Sequence, residues 1–80
     1  MRAEELTIDV EIIMGELGCG DLIYELREQF TRVQPGAVVR IVSNDAGGPR
    51  EIPAWCSMTG RELLEMDPPY YTIRARKEQP

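Results

Sequence analysis

Apolar and polar residues alternate from Thr7 to Ile13, with Ile8, Val10 and Ile12 on one side and Asp9 and Glu11 on the other. A period of two predicts a half-buried strand. Met14 to Gly18 then reads as a loop in which Gly15 and Gly18 permit tight turns. From about Gly20 to Val33 the period changes. Leu22, Ile23, Leu26, Phe30 and Val33 recur at helical spacing, while Glu25, Glu28, Gln29 and Arg32 take the other faces. Asp21 suits the positive start of this helix, and Gln34-Pro35-Gly36 stops it.

Ala37 to Ser43 is rich in β-branched residues and predicts a second, more buried strand. Asn44 to Pro49 breaks it, with Asp45 placed to cap a second helix and Pro49 tolerable in that helix's first turn. This helix carries Ile52, Trp55, Cys56 and Thr59 on one face and ends near Gly60. Pro53 is expected to bend or interrupt it, and Gly47-Gly48 to weaken its start. A hairpin closes the chain: Glu62 to Met66, a turn at Asp67-Pro68-Pro69, then Tyr70 to Arg76. In that last strand Tyr71, Ile73 and Ala75 alternate with Thr72, Arg74 and Arg76.

Strand, helix, strand, helix, strand, strand predicts an α/β fold. Two right-handed crossovers place both helices on one face of a four-stranded mixed sheet, a two-layer sandwich. With 80 residues, the expectation is one domain over residues 1–80, its core running from about residue 6 to 77.

Charge and chemistry narrow the function. The net charge of −5 disfavours direct nucleic-acid binding, and no stretch suits a membrane. There is no histidine, so neither a Cys-His dyad nor the commonest metal ligand is available. Two cysteines, Cys19 and Cys56, are too few for a secreted disulfide framework. A reduced, cytoplasmic protein with no metal site follows as the expectation. Cys19 stands where a strand gives way to a helix, and backbone N–H groups and the helix dipole stabilise a thiolate there. Gly18, Gly20 and Asp21 shape that junction. Cys56 falls on the Ile52/Trp55 stripe and reads as a core thiol. Arg27, Asp45 and Arg50 are candidate partner contacts.

Four markers in register resemble the TusA/SirA-type family of small sulfur-transfer proteins. They are Leu17-Gly18-Cys19, Gln34-Pro35-Gly36, Asn44-Asp45 and Arg50-Glu51-Ile52-Pro53-Ala54-Trp55-Cys56, with Thr59-Gly60-Arg61-Glu62-Leu63-Leu64 continuing the match. The resemblance implies that Cys19 carries sulfur as a persulfide. Its implied partners are a sulfur-donor protein, desulfurase or rhodanese-like, and a downstream acceptor. It implies no cofactor, and a monomer is expected.

The family's nucleophile begins Cys-Pro-x-Pro, whereas this chain reads Cys19-Gly20-Asp21-Leu22. The missing prolines keep a second expectation open, a non-catalytic interaction module on the same scaffold. A third, a redox switch between Cys19 and Cys56, requires the two sulfurs to be close together.

Overall fold

Strand β1 (Val10–Gly15) pairs in parallel with β2 (Val38–Ser43), joined through helix α1 (Cys19–Phe30). Helix α2 (Gly48–Thr59) leads to the hairpin β3 (Glu62–Asp67) and β4 (Tyr70–Arg74). The sheet order is β1-β2-β4-β3, with β4 antiparallel to both of its neighbours. These elements come from a computed structural model that describes residues 7–15 and 19–76, with Cys19 and Gly20 described through their backbone alone. The expected α/β fold, a four-stranded mixed sheet with two helices, is the one observed.

One face of the sheet forms the core. Val39 lies opposite Ile73 and Ile41 opposite Tyr71, and all four are buried. Leu22, Leu26 and Phe30 from α1 and Ile52, Trp55 and Cys56 from α2 join them. Phe30 and Trp55 meet edge to face with ring centres 5.2 Å apart, which ties the helices side by side. Full burial stabilises each such aliphatic side chain by about 1.5–3 kcal/mol. The other face carries ion pairs from Arg40 to Glu11 and from Arg74 to Glu62, both half-exposed and worth little to stability.

The ends of the elements depart from the sequence pattern in instructive ways. Met14 and Gly15 belong to β1, not to a loop, because the strand slips register between Ile13 and Gly15 and continues to pair as far as Ser43. Helix α1 stops at Phe30, before Val33. The Thr31 hydroxyl donates to the Glu28 carbonyl (2.6 Å) and its N–H to the Arg27 carbonyl (3.2 Å), which tightens the chain into turns. Val33 still packs against the core. Helix α2 is not interrupted at Pro53; its buried stripe of Ile52, Trp55 and Cys56 holds it across the lost hydrogen bond. Gly60 ends it with φ 76°, a left-handed turn that favours glycine. Thr72 alternates away from the core and is nonetheless buried, standing in register between Arg40 and Glu65.

Candidate functional site

Parallel pairing of β1 and β2 sets Gly15 opposite Ser43, so both strands deliver the chain to the same end of the sheet. Helix α1 begins there at Cys19 and α2 at Gly48. The β3–β4 turn reaches that end too, since the Ser43 N–H donates to the Pro69 carbonyl (2.9 Å). Open α/β sheets keep their ligand sites beyond the carboxyl ends of parallel strands. The start of a twelve-residue helix places its positive dipole end at Cys19.

At α2 the donors are used within the chain: Gly48 N–H to the Asp45 carbonyl (3.0 Å), and Arg50 and Glu51 N–H to the Gly47 carbonyl (3.1 and 2.8 Å). Pro49 has no N–H. Asp45 is therefore not the side-chain cap expected of it. Gly47 occupies the cap position, and the Asp45 carboxylate lies 3.4 Å from the Ser43 hydroxyl, which donates to it. The Ser43 oxygen in turn accepts the Asp45 N–H at 3.3 Å. Both contacts follow from the short Ser-Asn-Asp spacing, which lets the side chains fold back on their own backbone.

The candidate residues separate into two groups. Cys19, Asp21, Asp45 and Arg50 cluster by topology at the carboxyl end of β1 and β2, with Asp21 and Arg50 exposed. Gly20 follows Cys19 in the first turn of α1, and Gly18 lies outside the described residues. Arg27 belongs elsewhere. Eight residues beyond Cys19, it stands about 12 Å further along the helix axis at 1.5 Å per residue, in the last turn of α1.

Leu22, which occupies the family's second proline position, is a fully buried core residue. Cys56 is buried to 2% exposure, and that burial pushes its thiol pKa up to about 11 against a lowering by Arg61. It is a protonated core thiol, as its place on the helix stripe predicts.

Two features carried no clear sequence signal. The Tyr71 hydroxyl is buried without a hydrogen-bond partner beside Gly48. Burial, and then the nearby Asp45 charge, raise its pKa. The Arg61 guanidinium lies over the rings of both Trp55 (4.7 Å) and Phe30 (5.3 Å). Only the adjacent glycines before Pro49 hint at a close approach; the rest depends on distances across the fold.

No family model matches the chain. A protein from Archaeoglobus fulgidus named "Putative sulfur carrier protein" is 30% identical over 61 residues, covering 74% of this chain and 84% of that protein. The chain belongs to the TusA-like sulfur carrier family. Sulfur carrier protein TusA of Pseudomonas syringae pv. syringae is 28% identical over 61 residues, or 76% of this chain and 73% of that protein. In this TusA-like chain, no helix among the described residues is long and apolar enough to cross a membrane.

Proposed function

We propose that this chain carries sulfane sulfur as a persulfide on Cys19, taking it from a donor protein and handing it to an acceptor. The observation that carries this reading is the position of Cys19 as the first residue of α1, at the carboxyl end of parallel β1 and β2, in a member of a sulfur carrier family. The Cys19 thiolate attacks the terminal sulfur of a donor Cys–S–SH. The donor S–S bond breaks, the donor cysteine leaves as a thiolate and takes up a proton, and a new S–S bond forms on Cys19. The acceptor thiolate repeats the step with Cys19 as leaving group. No net oxidation occurs, and the chain's own contribution is to keep the sulfur ionised and aimed. The donor is a desulfurase or a rhodanese-like protein. Exchange of this kind suits the reduced cytoplasm, and the 80 residues act as one domain.

Incubation with a sulfane donor and measurement of the intact mass tests the reading. One added sulfur is expected on the wild type and on Cys56→Ser, and none on Cys19→Ser. An adduct that survives Cys19→Ser, or no adduct on any form, overturns it. The latter outcome, with a Cys19 thiol pKa near the ordinary ~8.5, supports the second reading, a non-catalytic interaction module. That reading draws on Gly20 and on Leu22, whose side chain serves the core.

A further inference from the structure

The helices cover the sheet face that carries Ile12, Ile41 and Tyr71, so the neighbouring Ile13, Val42 and Tyr70 point to the opposite face. Strand register puts these three in one row: Ile13 lies opposite Val42, and Val42 opposite Tyr70. Two strand spacings make the row about 10 Å long. Ile13 is 76% exposed and Tyr70 47%, with Val42 half-buried between them. Scattered exposed apolar residues are ordinary, whereas a contiguous line of them marks a contact surface.

The row behind it is ionic. Glu11 lies opposite Arg40, Arg40 opposite Thr72, and Thr72 opposite Glu65. Asp67, opposite Tyr70, closes the apolar row at the β3 edge. Charge on this face does not balance. Arg40 is paired with Glu11 (3.5 Å) and lies 5.8 Å over the Tyr70 ring, and Arg74 is paired with Glu62 (3.2 Å). Glu65 and Asp67 enter no ion pair among the described residues. Glu11, Arg40, Glu65, Asp67 and Tyr70 line a hollow of about 360 Å³, with three carboxylates against one guanidinium.

That imbalance selects the occupant. A second copy of the chain laid on this face would bring a second excess of carboxylates, and like charges across an interface are costly. A basic surface supplies the missing cations, and the apolar row supplies the dry centre that a charged rim needs. We propose that the open sheet face docks a basic segment of a partner protein. The segment lays an apolar side chain on Ile13, Val42 and Tyr70 and directs a lysine or arginine into the hollow at Glu65 and Asp67. Docking of this kind needs no sulfur on Cys19, so it stands apart from the persulfide reading.

The test is an amide NMR titration of the full chain with the capped peptide Lys-Leu-Lys-Leu-Lys at constant ionic strength. Capped Glu-Leu-Glu-Leu-Glu and Lys-Ser-Lys-Ser-Lys are the controls. Saturable shifts over Glu11 to Ile13, Arg40 to Val42 and Glu65 to Tyr70 are expected with the first peptide, and weaker binding with either control. Ile13→Ser should weaken affinity about tenfold, the order for burying an isoleucine side chain. Glu65→Gln combined with Asp67→Asn should weaken it about threefold or more, from two exposed ion pairs. None of these positions belongs to the buried core, and the variants' own spectra verify their fold. Absence of saturable shifts, equal binding of the Glu-Leu peptide, or affinity unchanged in both variants overturns the proposal. Spermine binding as tightly as the Lys-Leu peptide also overturns it, marking a small-cation site. So do concentration-dependent shifts of the same residues in the free chain, which assign the face to a second copy.

Discussion

The Tyr71 hydroxyl rests against Gly48: a Cβ added to that glycine would lie 2.7 Å from the oxygen and 3.4 Å from the ring carbon that bears it. Tyr71 is fully buried in the sheet and cannot swing aside. The first residue of α2 is therefore held at glycine by a side chain 23 positions later in the chain, and the entry of α2 onto the sheet is set by that contact.

Gly48→Ala is expected to destabilise the fold by about 1–3 kcal/mol through overpacking, partly offset by alanine's better helix propensity of about 1 kcal/mol. Tyr71→Phe removes a buried hydroxyl with no partner and is expected to be neutral or stabilising. The double variant should recover most of the loss, because the 2.7 Å contact is gone. Urea unfolding of the four proteins as a double-mutant cycle measures the coupling. Simple additivity would show that Gly48 is not restrained by the hydroxyl.

The family's two prolines should behave differently if restored. Gly20→Pro places proline in the first turn of α1, where its fixed φ suits the helix, and a gain of about 0.4–1 kcal/mol is expected. Leu22→Pro removes a fully buried leucine and should cost about 2–5 kcal/mol as a core truncation. Thermal melts decide between them, and the sulfur-loading assay on Gly20→Pro shows whether the firmer turn speeds transfer.

Stability should fall at alkaline pH. The Cys56 pKa rises from 9.0 in the open chain to about 11 in the fold. A raised acid pKa means that the unfolded chain releases the proton first. The contribution is complete below pH 9 and is lost as pH climbs towards about 11. Tyr71, raised in the same direction, adds to the fall. Urea midpoints against pH should decline less steeply for Cys56→Ala. In a Cys19→Ser background, Cys56 should resist thiol reagents at neutral pH until the chain is unfolded.

Arg61 ties the two aromatic rings of the core to the surface. Arg61→Gln should cost about 0.5–2 kcal/mol, the range for a guanidinium over aromatic faces, and Arg61→Lys somewhat less. The single tryptophan, Trp55, provides the signal: its fluorescence should change in the folded variant, and urea unfolding followed at the same wavelength gives the loss. An unaltered midpoint would show that the stacking contributes nothing.

Local pattern was enough for the type and order of every element. Alternation leading to Ile12, the helical recurrence of Leu22, Leu26 and Phe30, and the β-branched run Val38–Ser43 are periodicities that burial of one face imposes on the chain, although Val10 at the start of β1 stays exposed. The in-register markers around Cys19 and Asn44-Asp45 likewise identified the family, and Cys56 was legible as a core thiol from its helical stripe. What the sequence alone could not carry were quantities that exist only between distant segments. These include the contact of Tyr71 with Gly48, the turning of Asp45 onto Ser43 instead of a helix cap, and the alignment of Ile13, Val42 and Tyr70 in one row. The separation of Arg27 from Asp45 and Arg50 belongs with them. Periodicity tells a residue which face to take; only the packing of one layer on another tells it which residue it will meet.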